Sequence, residues 1–124
     1  CRGMAKYHGE VTPARKVELL RAAKAVVLPY MWAEPFGIVP LEANACGTPA
    51  IVLDYPGSAM REIVKDGENG FLCKSIAEMG EAAANVGDIK PEECRRVVEE
   101  KFTAARMAER YEKLYERVAK GDGW

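Results

Sequence analysis

Short runs of apolar residues mark the strands predicted for this chain. Ala25-Val-Val-Leu-Pro29 and Ala50-Ile-Val-Leu-Asp54 are continuous apolar runs, each ended by a residue that favours a turn. Such runs are typical of strands buried on both faces of a parallel sheet. A further strand is predicted at Phe71–Cys73, and a short first strand at Ala5–His8. The chain is therefore expected to contain a small parallel sheet.

The segments between the strands carry the signals of helix starts. Thr12 precedes a proline, which fits an N-cap followed by the first helical position. Ser75-Ile-Ala-Glu78 has the spacing of a capping box, in which the two side chains cap each other's backbone. Further helices are predicted from about Gly37 to Cys46, from Ser58 to about Asp66, from Pro91 and from Thr103.

The last predicted helix, residues 103–120, is amphipathic. Its apolar residues recur on one face at helical spacing, and they are Met107, Tyr111, Leu114, Tyr115 and Val118. A stripe of this kind is typical of packing in a core or at an interface rather than of a ligand site.

The alternation of short strands and helices predicts the fold class. We expect an α/β domain of three layers with a parallel sheet, formed by residues 1–124 as a single unit. Ligands of such sheets bind beyond the carboxyl ends of the strands. The loop from Tyr30 to Gly37 follows a predicted strand at that edge, so it is the first place to look for a site.

Composition narrows the class of protein without naming a function. The 124 residues are 48% hydrophobic and 30% charged, with a net charge of −1, as expected for a soluble globular domain. Basic residues are interrupted by acidic ones, which gives no argument for a nucleic-acid partner. No apolar run is long enough to cross a membrane and no signal peptide is recognisable, so a cytoplasmic location is expected. The cysteines lack C-x-x-C spacing, which favours reduced, mostly buried thiols over a metal site.

The most informative segment is Glu34-Pro-Phe-Gly-Ile-Val-Pro-Leu-Glu42. It places one carboxylate before a glycine turn and a second inside the following helix. The free amides of Gly37, Ile38 and Val39 at the helix start would attract phosphate, while carboxylates accept hydrogen bonds from hydroxyls. The segment therefore fits a phosphorylated, hydroxyl-rich ligand such as a sugar nucleotide.

The residues alone leave other interpretations of this segment open. Glu42 lies beside an apolar helical stripe and needs a partner, which could equally be a lysine or an arginine. Glu34 could simply be exposed, and Gly37 could serve only the turn into the helix. Other chemistry is poorly supported, because the chain has no D-x-D, H-E-x-x-H, G-x-S-x-G or Walker-type motif.

The segment from Glu34 to Val52 resembles the E-x7-E signature of the retaining GT-B glycosyltransferases. This group includes glycogen and sucrose synthases and many mannosyl- and glucosyltransferases. Flanking segments agree with the resemblance, at Tyr7-His-Gly-Glu-Val11 and from Arg61 to Leu72. The similarity extends from about Tyr7 to Arg117. It implies a Rossmann-like fold that forms part of the C-terminal, donor-binding domain of a GT-B enzyme.

The resemblance also implies roles for individual positions. Glu34 would contact hydroxyls of the donor sugar and is the candidate catalytic carboxylate, while Glu42 would bind the ribose diol. Backbone amides from Phe36 through Gly37 and Ile38 to Val39 would hold the diphosphate. Such enzymes transfer a sugar from a nucleotide-diphosphate donor with retention of configuration, generally without a metal or another cofactor.

The departures from the family pattern generate further expectations. The resemblance covers only the later part of the second domain, so an N-terminal acceptor domain would be a missing partner. The Arg and Lys that normally neutralise the diphosphate find no match here. The strand at Ala25–Pro29 would then leave an open sheet edge, so we expect a homodimer or a rearranged first strand. A nucleotide-sugar epimerase and a non-catalytic binding fragment remain alternative functions.

Overall fold

The computed structural model describes residues 3–121, and its centre is a parallel sheet of three strands. Strand β1 (Val26–Leu28) pairs with β2 (Ala50–Leu53), and β2 pairs with β3 (Gly70–Cys73). The strands lie in chain order, with Val26 opposite Ala50 and Ala50 opposite Gly70. The predicted α/β class with a parallel sheet is confirmed.

Helices connect and cover the strands. They are α1 (Pro13–Ala22), α2 (Ile38–Ala45), α3 (Met60–Ile63), α4 (Ile76–Asn85), α5 (Pro91–Lys101) and α6 (Ala104–Ala119), with a short 3-10 turn at Val86–Asp88. Thr12 caps α1 by accepting a hydrogen bond from the backbone N–H of Arg15, and Thr103 caps α6 in the same way. At α4, Ser75 caps the N–H of Glu78, while the Glu78 carboxylate accepts from the amide of Lys74 and not from that of Ser75, so the predicted capping box forms only in part. The predicted start signals therefore act as caps.

The alternation of side chains along β2 builds the core on both faces of the sheet. Ala50 and Val52 belong to one buried cluster, formed with α3, and Ile51 belongs to the other, formed with α4. Buried apolar surface on both faces stabilises a central strand at roughly 25 cal/mol per Å² removed from water. Helices lie on both sides of the sheet, so the domain has the three layers that the sequence predicts.

Two predictions about the elements are wrong. Residues Ala5–His8 form no strand, and the Tyr7 side chain is 94% exposed. This segment has no run of apolar residues to bury, so β1 remains the edge strand of the sheet within residues 3–121. The helix expected from Ser58 to Asp66 is shorter, because α3 begins at Met60 after the N-cap Ala59 and ends at Ile63.

A pair of buried asparagine amides explains where α3 ends. Asn44 and Asn69 are fully buried, and the Asn69 Nδ2 group donates to Asn44 Oδ1 at 2.8 Å and to the Ile63 carbonyl at 3.0 Å. Asn69 Oδ1 accepts from the Lys65 amide at 2.7 Å. Asn44 Nδ2 donates to the carbonyls of Asn69 and Thr48. The pair therefore joins α2, the end of α3 and the start of β3.

The surroundings of this pair are closed to solvent. The Cys94 thiol of α5 contacts the Asn69 carbonyl at 3.9 Å, and burial raises the pKa of Cys94 to about 11. Cys73 is also buried, while Cys46 is half-buried and Cys1 lies outside the described residues. Buried thiols are thus confirmed for Cys73 and Cys94.

Helix α6 stands apart from this core. It has no buried residue, and Met107, Tyr111, Tyr115 and Val118 each expose 41–65% of their surface. Packing of the predicted stripe into a core does not occur within residues 3–121, and its use as an interface stays a prediction.

Removing one member of the asparagine pair should destabilise the domain strongly. Asn69→Ala leaves the Ile63 carbonyl and the Lys65 amide without their partners, and a buried unsatisfied group costs about 1–3 kcal/mol. We expect the free energy of unfolding, measured in urea, to fall by about 3 kcal/mol. The exposed Asn85, whose amide bonds one carbonyl of its own helix, is the control, and Asn85→Ala should cost under about 1 kcal/mol. Similar losses in the two variants would contradict the role of the pair.

Candidate functional site

The candidate site is the loop between β1 and α2, at the carboxyl end of the sheet. Its backbone is held at two points. The Tyr30 amide donates to the Leu28 carbonyl at 2.9 Å, and the Ala59 amide, at the start of α3, donates to the Glu34 carbonyl at 2.9 Å. The loop is therefore attached both to the strand that precedes it and to the neighbouring strand-to-helix connection.

Gly37 shapes the entrance to α2. It is the N-cap, it has a φ of +85°, and it is buried. A Cβ at this position would overlap the Sδ–Cε end of Met60 and would also strain the backbone. The positive φ of Gly37 therefore serves the turn into the helix, one of the interpretations left open above, and the end of the Met60 side chain would have to shift for a larger residue.

The start of α2 presents unpaired backbone donors. The amides of Gly37, Ile38 and Val39 have no hydrogen-bond acceptor within residues 3–121, and Pro40 has no N–H. The side chains of Ile38 and Val39 are 64% and 38% exposed. Free amides at a helix start carry a partial positive charge and favour an anion.

Glu34 is not a freely exposed side chain. It is half-buried, and its Oε2 accepts a hydrogen bond from Trp32 Nε1 at 3.0 Å. The Trp32 ring lies against Tyr30, with ring centroids 4.8 Å apart. Burial and the nearby charge of Glu34 raise the pKa of the Tyr30 hydroxyl. Glu34 therefore lies beside the aromatic side chains of Trp32 and Tyr30, which the sequence did not predict.

Glu42 has a protein partner. Its Oε1 accepts from Lys16 Nζ of α1 at 2.6 Å, which is the lysine pairing left open by the sequence. The two side chains are 33% and 45% exposed, and ion pairs at such exposure contribute about 0–1 kcal/mol. A ligand could therefore displace the Lys16 ammonium at small cost.

The Phe36 side chain packs at the end of α5. Its ring meets Phe102, at the end of α5, in an edge-to-face arrangement with centroids 6.4 Å apart. Both rings line a groove of about 740 Å³ that continues along α6 past Met107 and Tyr111. Because its ring lies in this groove, Phe36 can contribute only its backbone N–H to the group of amides at the start of α2.

A third carboxylate at the same edge of the sheet is already occupied. Asp54 follows β2, and Arg61 of α3 donates to both of its oxygens, at 2.7 and 2.8 Å. Within residues 3–121, no three His, Cys, Asp or Glu side chains are grouped as a metal site would need. In the same residues, no helix is both long and apolar enough to cross a membrane.

Sequence reasoning missed Lys16, Trp32 and the start of α3 as parts of the site. Trp32 stands two positions before Glu34, and residues at this spacing share one face of an extended segment, which is the signal that could have indicated the contact. Lys16 is 26 positions from Glu42, and Met60 is 23 from Gly37, so no local pattern could connect them.

Comparison with known proteins identifies the family. The profile described as "Glycosyl transferases group 1" matches residues 2–101. The chain is 33% identical over 93 residues to a phosphatidyl-myo-inositol mannosyltransferase of Mycolicibacterium smegmatis, a match covering 75% of this chain and 24% of that protein. It is 35% identical, in an alignment 126 positions long including gaps, to an alpha-maltose-1-phosphate synthase of the same organism, covering 89% of this chain and 32% of that protein.

A relative from Neurospora crassa is also matched over only part of its length. The chain is 36% identical over 115 residues to the alpha-1,3/1,6-mannosyltransferase alg-2 of Neurospora crassa, covering 84% of this chain and 24% of that protein. The chain thus spans about a quarter to a third of the length of these curated relatives.

Two glycine substitutions separate backbone strain from packing at the site. Gly37 and Gly67 both have positive φ, so alanine costs a similar backbone penalty of about 1–2 kcal/mol at each. Only at Gly37 would the new methyl group overlap Met60, since nothing lies within 4 Å of a Cβ at Gly67. We expect Gly37→Ala to lower the urea midpoint clearly more than Gly67→Ala. Equal midpoints would show that Met60 does not constrain the turn.

Proposed function

The chain belongs to the group 1 glycosyl transferases, and we propose that it supplies the nucleotide-sugar-binding part of an enzyme that transfers a sugar from a nucleotide-diphosphate donor to an acceptor. One observation carries the proposal. Three amides at the start of α2 have no hydrogen-bond acceptor within residues 3–121, and they lie in sequence between two carboxylates, Glu34 and Glu42, at the edge of a parallel sheet where ligands commonly bind.

Each group would meet a different part of the donor. The amides of Gly37, Ile38 and Val39, together with that of Phe36, would hold the diphosphate through hydrogen bonds and the positive end of the α2 dipole. Glu42 would accept hydrogen bonds from the ribose diol. Glu34 would accept from hydroxyls of the sugar and, in the complete enzyme, would act as the catalytic carboxylate, with retention of configuration and without a metal.

The Lys16–Glu42 pair is compatible with this assignment. Glu42 keeps Oε2 free of any hydrogen bond within residues 3–121, so a ribose hydroxyl can bind there without breaking the ion pair. The Lys16 ammonium also adds one positive charge near a site for an anionic ligand. The remaining cations that the diphosphate needs would come from outside this chain.

The rest of such an enzyme would pack against the exposed helix. The groove beside Phe36 and Phe102 and the apolar face of α6 form a continuous surface that this chain does not cover within residues 3–121. We propose that an N-terminal acceptor domain covers it, as the coverage of the relatives by about a quarter to a third suggests. The acceptor would bind to that domain, while the donor would bind to this chain.

Two other functions deserve a direct comparison in experiment. A non-catalytic sugar-nucleotide binder would use the same amides and carboxylates without transferring the sugar. Ligand binding without turnover, even after the remaining domain is supplied, would identify it. A nucleotide-sugar epimerase would use a similar donor site, and it would release no free nucleotide together with a glycosylated acceptor.

The donor site can be tested on the 124-residue chain by following backbone amide resonances during titration with UDP, GDP and ADP. We expect saturable shifts at Gly37, Ile38 and Val39, because these amides would bind the diphosphate. Glu42→Gln should weaken binding by about tenfold, the effect of losing roughly 1.4 kcal/mol at a charged hydrogen bond.

Glu99→Gln on α5 is the matched control, since Glu99 is exposed and forms no ion pair within the described part of the chain. It should leave the affinity unchanged. Shifts spread evenly over the surface, or the same loss in both variants, would contradict the proposed site.

The open edge of β1 makes a separate prediction about association. Val27 is 51% exposed, and β1 pairs on one side only within residues 3–121. We expect the isolated chain to dimerise through this edge, with a mass in light scattering that rises with concentration. Val27→Lys should return the chain to a monomer, while Val118→Lys on α6 should leave the dimer intact. If only Val118→Lys gave a monomer, the dimer would form through α6 and not through the edge of β1.

A further inference from the structure

The carboxylate of Glu34 is held by an indole. Trp32 Nε1 donates to Glu34 Oε2 at 3.0 Å, while Oε1 has no hydrogen bond within residues 3–121. Hydrogen bonds to an ionised acceptor are about twice as strong as neutral ones. One oxygen is thereby fixed, and the other is left free to accept from a ligand.

The indole itself is attached to the core. Its ring lies against Tyr30 with an interplanar angle of 43°, and Tyr30 packs against the buried cluster that includes Val52 and Met60. Trp32 is 53% exposed, so its ring covers the surface rather than filling the core. A continuous series of contacts therefore leads from the core through Tyr30 and Trp32 to the carboxylate.

The backbone of Glu34 is held independently. The Ala59 amide donates to the Glu34 carbonyl at 2.9 Å, and Pro35 restricts the conformation of Glu34 from the other side. Loss of the indole N–H would therefore release the carboxylate while the backbone stays in place. A carboxylate with free rotation about its side-chain bonds loses more entropy when it binds a hydroxyl.

We propose that Trp32 is a positioning residue, whose N–H fixes the Glu34 carboxylate so that Oε1 accepts a hydroxyl of the donor sugar. The orientation of Glu34 stands on the contacts above, and the assignment of the ligand rests on the proposed function. Trp32 would then affect recognition of the sugar but not of the nucleotide, which is held by Glu42 and the α2 amides.

The orientation is tested without any ligand, by the indole N–H resonance of Trp32 in the 124-residue chain. The chain has two tryptophans, Trp32 and Trp124, so it gives two indole N–H resonances. The one that disappears in Trp32→Phe belongs to Trp32. Glu34→Gln replaces the charged acceptor by a neutral one, so the hydrogen bond weakens and the indole proton should move upfield. Glu42→Gln should leave it in place. An unchanged resonance in Glu34→Gln would overturn the proposal.

The consequence for recognition is tested by comparing affinities for a nucleoside diphosphate and for its sugar derivative. Trp32→Phe keeps a six-membered aromatic ring beside Tyr30 and removes the N–H donor together with the five-membered ring. We expect it to weaken binding of the nucleotide sugar by about five- to tenfold and to leave the nucleoside diphosphate unchanged. Equal weakening of both ligands, or of neither, would overturn the proposal. If the unmodified chain binds neither ligand, the proposed function fails, and the indole resonance alone decides the orientation.

Discussion

The structure depends on the buried pair of asparagine amides more than on any other interaction. Asn44 of α2 and Asn69 before β3 satisfy each other and also bind the Thr48 and Ile63 carbonyls. No buried side-chain nitrogen or oxygen in residues 3–121 lacks a partner. Because an unpaired amide is costly in a dry interior, this network allows one register of α2 against α3 and the sheet. The position of Gly37 and of the amides at the start of α2 therefore depends on these hydrogen bonds.

Helix α3 also holds the candidate site in place. Met60 lies beneath Gly37, and the preceding residue, Ala59, binds the Glu34 carbonyl. A helix of only four residues thus fixes both the glycine turn and the loop that carries the first carboxylate. The groups proposed to bind the ligand are weakly engaged, since Glu42 has only a half-exposed ion pair and the α2 amides have no partner within residues 3–121. A rigid support with unoccupied polar groups is what a binding site requires.

Sequence predicted the elements whose causes are local. The apolar runs became β1, β2 and β3, and the side chains of Thr12, Ser75 and Thr103 became caps, because each signal lies within a few residues of its effect. Ala5–His8 failed as a strand because it has no apolar run to bury. The asparagine pair, the Lys16–Glu42 contact and the Gly37–Met60 contact could not be predicted, since their members lie 23 to 26 positions apart. The resemblance to a glycosyltransferase family was confirmed, while the roles of Glu34 and Glu42 remain proposals.

The most direct test of this account is a crystal structure of the chain with a nucleoside diphosphate bound. We expect diphosphate oxygens within hydrogen-bonding distance of the Ile38 and Val39 amides, and the ribose hydroxyls on Glu42 Oε2. The asparagine pair and the Gly37 turn should be unchanged from the free chain. A nucleotide bound away from the start of α2, with Glu42 engaged only by Lys16, would contradict the account.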